Sequence, residues 1–191
     1  ADFAVWCSYK YLNAGPGAIG GVFVHARHAR ARPLTRLAGW WGHERASRFD
    51  MRPGFVPAAG AAGWAVSNPP ILSAAPLIAS LALFDEARMQ RLSEKSRALT
   101  SYCDELLERL VGPRIRIINP LAADARGAQL SLRVADDASR GSAVFAALRR
   151  ADVICDFRDP DIIRAALVPL YNSFEDVFYF AQRLRAALEA Q

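Results

Sequence analysis

Hydrophobic and polar positions change their rhythm several times along the chain. Phe3-Ala4-Val5-Trp6-Cys7 is a continuous apolar run, the pattern of a strand buried on both faces, and a second short run, Val22-Phe23-Val24, follows a glycine-rich stretch from Ala14 to Gly21. Strand, loop, strand is the expectation for this opening. Residues 25 to 66 have no period and are rich in Gly, Pro, Arg and Trp, the composition of a long functional loop region. Ser67-Asn68-Pro69-Pro70 then supplies a cap and first-turn prolines for a helix over Ile71 to Arg88, with Pro76 inside it as an expected kink. Leu92, Leu99, Cys103, Leu106 and Leu110 recur at helical spacings, and Gly112-Pro113 ends that second helix.

From Arg114 the period becomes two. Ile115 and Ile117 alternate with arginines, and Leu130, Leu132 and Val134 alternate with polar residues, which predicts half-buried antiparallel strands. Val144, Phe145 and Leu148 place a helix over Ser142 to Arg150, and short strands are expected at Val153 to Phe157 and Ile162 to Val168. Ser173 with Asp176 three residues on forms a capping box for a terminal helix whose apolar face is Val177, Phe178, Phe180, Ala181 and Leu184. The division expected is residues 1–88, strands and loops ending in a helix, and residues 89–191, one small sheet covered by helices. Because domains seldom begin at a buried strand, the chain reads as the C-terminal part of a longer protein whose upstream strands would flank Phe3 to Cys7.

Composition narrows the function classes. The 191 residues are 52% hydrophobic and 23% charged, which excludes a disordered tail, and three cysteines are too few for a disulfide scaffold. Cys7, Cys103 and Cys155 have no paired zinc spacing, and His25 with His28 lacks a third ligand, so no metal is expected. The longest apolar stretch, Ile71 to Phe84, is interrupted by Ser73, Pro76 and Ser80 and is shorter than a membrane span. A soluble protein in a reducing, cytoplasmic compartment is the expectation. The net charge of +5 suggests weak affinity for anions, with Arg27, His28, Arg30, Arg32 and Arg36 as the densest basic stretch. No aromatics interleave with these arginines, so a nucleic-acid partner is not expected.

All but two of the 24 Lys and Arg residues are arginine, which makes Lys10 and Lys95 exceptional. Lys10 follows a strand by a few residues, where α/β sheets place ligands, and lysine is the basic residue whose amine can deprotonate and form a Schiff base. Gly15-Pro16-Gly17-Ala18-Ile19-Gly20 matches a dinucleotide fingerprint formally, but a strand-like run follows where a helix is required, so the glycines are read as a tight turn behind the lysine. Gly39-Trp40-Trp41-Gly42-His43 sets two tryptophans side by side in a loop, which fits a subunit interface or an aromatic ligand pocket.

Taken together, Trp6-Cys7-Ser8-Tyr9-Lys10-Tyr11-Leu12-Asn13, Gly39 to His43, Ser67 to Leu72, and Ile163-Arg164 with Val168-Pro169-Leu170-Tyr171-Asn172 closely resemble the kynureninase family, in order and spacing, across essentially the whole chain. The chain departs from the family pattern at Pro76, usually an ordinary helix former, and at Leu167, usually proline. The resemblance implies an α/β fold, the C-terminal part of an aspartate-aminotransferase-like pyridoxal-phosphate enzyme: the last strands of a large, mostly parallel-sheet domain plus a small α+β domain, assembled as a homodimer. It implies that Lys10 forms the Schiff base with pyridoxal 5'-phosphate and moves protons, and that Tyr9 holds the phosphate and donates a proton. It further implies that Trp40 and Asn68 contact the cofactor across the dimer, and that Arg164 clamps the substrate carboxylate. Ser67, Trp41 and His43 would line the pocket for the aromatic ring. The implied reaction is hydrolysis of L-kynurenine, or its 3-hydroxy form, to anthranilate or 3-hydroxyanthranilate and L-alanine, in tryptophan catabolism and NAD biosynthesis. This stretch alone is expected to be inactive. The competing readings are another fold-type-I enzyme, a cysteine desulfurase or class V aminotransferase, and a non-enzymatic fragment.

Overall fold

The computed structural model describes residues 1–29, 34–120, 122–135 and 137–190. The chain forms two compact units, Ala1–Glu86 and Ala87–Gln191.

In the first unit, β1 (Phe3–Trp6) and β2 (Gly21–Val24) form an antiparallel pair in which Phe3 faces Val24 and Trp6 faces Gly21. Gly21 has no side chain because the Trp6 indole lies where its Cβ would be, 2.4 Å from the nearest ring atom. In this chain β1 pairs antiparallel with β2 on one edge, and Val5 is 80% exposed, so the burial on both faces that its apolar run suggests is not met by the described residues themselves. The strand's apolar character is intact, but burial depends on what packs against it, and little in this unit does. Among the described residues, Ala14 and Phe84 are the only buried hydrophobic side chains of the first unit.

The aperiodic segment is built from single 3-10 turns at Ala26–His28, Trp40–Gly42 and Gly60–Trp64. Of the basic stretch, Arg30 and Arg32 lie outside the described residues. Arg27 and His28 both reach Asp2, at 2.5 and 2.6 Å, and the hydrogen bond from His28 holds the Asp2 carboxyl below its ordinary pKa. His25 caps its turn by accepting the Arg27 N–H at Nδ1. Helix α1 (Ile71–Ala87) follows, with Pro76 inside it.

The second unit holds the core. Helix α2 (Met89–Leu110) buries Leu92, Leu99, Thr100, Cys103 and Leu107, with Leu106 and Leu110 partly covered. Gly112, at φ +64°, turns the chain out of the helix, a conformation that side chains disfavour. The sheet is antiparallel throughout, in the order β3-β4-β6-β5, from β3 (Ile115–Ile117), β4 (Gln129–Val134), β5 (Asp156–Arg158) and β6 (Ile162–Ala166). Strand β4 shows the expected alternation, with Leu130, Leu132 and Val134 buried against α2, α3 (Gly141–Arg150) and α4 (Phe174–Glu189).

Two strands are shorter than their apolar runs. Val153–Cys155 lies outside β5, with Ile154 fully exposed, and Leu167–Val168 leaves β6 for a turn. Leu167 donates its N–H to the Ala128 carbonyl at 2.8 Å, a bond proline could not make. The capping box forms as its spacing predicts: Asp176 N–H donates to Ser173 Oγ at 3.1 Å, and Ser173 N–H donates to Asp176 Oδ2 at 2.7 Å.

Candidate active site

Lys10 sits in the connection between β1 and β2, and that connection is held at several points. Asn13 N–H donates to the Lys10 carbonyl at 2.9 Å and Ala14 N–H to the Ser8 carbonyl at 3.0 Å, which closes a tight turn around the lysine. Ser8, 1% exposed, donates its hydroxyl hydrogen to the Ile19 carbonyl. Ile19 N–H in turn donates to the Ser73 carbonyl at 3.1 Å, and Ser80 of α1 donates its hydroxyl hydrogen to the Leu12 carbonyl. The backbone on both sides of Lys10 is thereby moored to itself and to α1, while the side chain stays exposed. Lys10 Nζ stands 5.1 Å from the centroid of the Tyr9 ring. It has no carboxylate partner among the described residues. Behind it, the Tyr11 ring meets Phe84 at 6.0 Å, and burial pushes the Tyr11 phenol above its ordinary pKa.

The tryptophan motif is a compact structure of its own. Trp40 meets Phe49 edge to face at 5.4 Å but stays half exposed. The Arg48 guanidinium lies 4.4 Å over the Trp41 ring and donates to the carbonyls of Trp41 and His43, at 2.9 and 3.1 Å. That pairing is a cation–π contact locked by two hydrogen bonds. Val56 N–H donates to His43 Nδ1 at 3.4 Å, so the imidazole proton is on Nε2 and donates to Ser47 Oγ at 3.0 Å. Ser47 passes its own hydrogen to Glu44 Oε1 at 2.9 Å. Both His43 nitrogens are therefore occupied by the loop itself, and the ring can offer a ligand only its edge or face.

Glycine brings this motif against the next one. A Cβ on Gly39 would fall 2.3 Å from Val66 Cα, and one on Gly42 would fall 2.6 Å from the Ala65 carbonyl oxygen. The backbone bearing Trp40 and Trp41 thus lies directly against the backbone that leads into Ser67 and Asn68. Ser67 Oγ donates to Asn68 Oδ1 at 3.2 Å, and both side chains are exposed. Lys10, Tyr9, Trp40, Trp41, His43, Ser67 and Asn68 all belong to the first unit, and two ties join their segments: the glycine contacts, and the mooring of the lysine loop to α1, which starts two residues after Asn68-Pro69.

Arg164 belongs to the second unit. It lies on β6 opposite Asp156 of β5, and its Nη2 donates to Asp156 Oδ2. Asp156 also pairs with the exposed Arg158 at 3.1 Å.

Three roles in this arrangement are not assigned by the sequence alone: Ser80 as a donor to the lysine loop, Asp156 as the partner of Arg164, and the hydrogen-bonded chain Glu44–Ser47–His43. Ser80 does leave a trace, a hydroxyl inside a largely apolar helical run, where a polar side chain needs a partner. The other two depend on cross-strand register and loop closure, which no local pattern encodes. Among the described residues no three His, Cys, Asp or Glu side chains cluster as a metal site, and no helix is long and apolar enough to cross a membrane.

Residues 92–184 match the kynureninase C-terminal domain family. A kynureninase from Xanthomonas euvesicatoria pv. vesicatoria is 56% identical over 185 residues, 97% of this chain and 44% of the relative. The chain spans less than half the length of the curated relatives it matches. Among solved structures, the cysteine desulfurase CsdA from Escherichia coli superposes with a TM-score of 0.71 at 19% identity, covering 99% of this chain and 46% of that one. A cystine C-S lyase, C-DES, in complex with its product cysteine persulfide, superposes with a TM-score of 0.69 at 21% identity, covering 97% and 46%. At such identity the superpositions establish the fold alone, the one shared with the corresponding parts of those chains. With the family match and an identity above one half along nearly its whole length, the chain belongs to the kynureninase family.

Proposed function

We propose that this chain is the lysine-bearing part of a kynureninase, and that the complete protein carrying it hydrolyses L-kynurenine or its 3-hydroxy form to the anthranilate and L-alanine. The observation that carries the reading is Lys10: an exposed amine without a carboxylate partner among the described residues, on a loop moored through Ser8, Leu12 and Ile19. Surface lysines are not usually given so ordered a backbone, whereas an amine that must meet a cofactor carbon needs one.

The donor set suits pyridoxal 5'-phosphate. Lys10 Nζ would hold it covalently, and the Tyr9 hydroxyl, Trp40 indole N–H and Asn68 amide are exposed donors of the kind a phosphate accepts. When bound, the cofactor supplies an electron sink that stabilises negative charge on the carbons next to the amino group. The protein's share is positioning and proton transfer. Lys10 takes and returns a proton at Nζ, and the Tyr9 hydroxyl donates one to the departing alanine carbon. Arg164 binds the substrate α-carboxylate. Trp41, with its ring orientation set by Arg48, gives the aromatic ring of the substrate an apolar wall, beside His43 and Ser67. Water is consumed: its oxygen stays on the anthranilate carboxylate, and of its two protons one is delivered to the alanine methyl carbon and the other is released from the new carboxyl group to solvent. A homodimer in the cytoplasm, with Trp40 and Asn68 reaching the partner's cofactor, completes the proposal.

The test is turnover by the complete protein, read as anthranilate fluorescence with one alanine formed per anthranilate. Lys10→Ala should abolish both turnover and the borohydride-reducible link to the cofactor, while Lys95→Ala should keep both. Turnover of cysteine without kynurenine would assign the protein to the desulfurase chemistry of its structural neighbours instead.

A further inference from the structure

A guanidinium at the end of a long side chain recognises a carboxylate well only if it is held still, because ordering it costs side-chain entropy at the moment of binding. In the second unit Arg164 is held. Strand register puts Asp156 of β5 directly across from Arg164 of β6, the geometry in which side chains on one face of a sheet meet. Asp156 Oδ2 takes a hydrogen from Arg164 Nη2, and no other acceptor touches the guanidinium among the described residues. Arg164 Nε is buried and unpartnered. Of five N–H bonds in the fork, the acid uses part of one end and leaves the rest uncommitted. The neighbouring Arg158 adds a second cation to Asp156, and the hydrogen bond from Arg164, with both positive charges, holds its carboxyl below the ordinary range. The acid therefore stays ionised as a fixed anchor.

We infer that Asp156 is a positioning residue for substrate recognition: it fixes the orientation of Arg164, so that the free part of the fork meets the α-carboxylate of an amino-acid substrate. The inference rests on the proposed role of Arg164 as the carboxylate ligand. Asp156 itself does not touch substrate. Its loss leaves Arg164 charged but free to swing, so the defect falls on binding of the carboxylate and not on the chemical step.

The experiment uses the complete protein, L-kynurenine as substrate, and the α-carboxamide of kynurenine as a competitive inhibitor that lacks the recognised charge. Asp156→Ala should raise KM for kynurenine about tenfold with kcat changed less than about twofold, and should leave Ki for the carboxamide unchanged. Asp156→Asn keeps an acceptor oxygen at the same place and should recover most of the loss. If Asp156→Ala does not fold, Asp156→Ser, which keeps a small polar side chain, carries the same expectation. An unchanged KM, or an equal loss for substrate and carboxamide, overturns the inference. Arg164→Gln separates the two levels. If it raises KM while Asp156→Ala does not, only the positioning role fails; if it leaves KM unchanged, the role of Arg164 itself has failed.

Discussion

Ser80, in the middle of α1, donates its hydroxyl hydrogen to the carbonyl of Leu12, two residues beyond Lys10. The donor is 6% exposed and sits in the largely apolar middle of the helix, between Ala74 and Phe84. A buried hydroxyl in such a helix is tolerated because it is satisfied, and here its partner is the loop that presents the amine.

Ser80→Ala removes the donor and leaves the Leu12 carbonyl without it, at an expected cost of about 1–3 kcal/mol. Urea denaturation of the complete protein, followed by a probe in the first unit, measures the loss. The same variant should blunt the reactivity of Lys10 toward pyridoxal phosphate while leaving that of Lys95 unchanged. Wild-type stability and wild-type reactivity together would show that the loop is held by its own turn.

The capping box gives a prediction in pH. Hydrogen bonds from the backbone and side chain of Ser173 hold the Asp176 carboxyl below its ordinary pKa. The native carboxylate thus keeps its charge to lower pH than the unfolded one. Its contribution is complete above the ordinary carboxylate range and is lost as pH falls through the lowered value. Asp176→Asn should flatten part of the acid limb of a stability curve measured between about pH 2 and pH 5. Ser173→Ala should cost about 1 kcal/mol at neutral pH. An unchanged acid limb in Asp176→Asn would show that the box contributes nothing to acid sensitivity.

The distribution of core predicts how the two units respond to labelling. The contiguous hydrophobic cluster runs from Leu99 to Leu188 and lies within the second unit. Hydrogen exchange on this 191-residue chain by itself should therefore find slow amides in α2, β4, β6 and α4, with β1 and β2 exchanging fast. Thiol chemistry gives a second readout. Cys103 is fully buried, and burial pushes its thiol up to about 12, so it should resist alkylation until the second unit unfolds. Cys7 is exposed and should react first. Early alkylation of Cys103 would contradict a formed core.

Helix α1, the alternating residues of β4 and the Ser173 cap were legible because each is a local pattern: a proline-marked start, a period of two, a three-residue spacing. The surroundings of β1 were not. An apolar run states that a strand prefers to be covered, not that anything covers it, and Val5 is exposed all the same. Strand β5 is shorter than its apolar run because Ile154 turns outward before pairing begins. The site shows the same division. The motif residues could be named from sequence, but the anchors behind them could not: Ser80 reaches a carbonyl 68 positions earlier in the chain, and Asp156 meets Arg164 only once β5 and β6 settle their register.

The close approach of Gly39 and Gly42 to the backbone at Ala65 and Val66 has an evolutionary corollary. Because the two motif loops are clasped to each other, their relative position does not depend on the length of the polypeptide that joins them. Insertions and deletions confined to about Met51–Gly54, before Val56 and Ala58 bond back to His43, Glu44 and Gly42, can accumulate without displacing Trp41 or Ser67, whereas a single methyl group at Gly39 would pry the loops apart. Descendants of this sequence are free to rewrite the excursion, provided they keep both ends of the clasp.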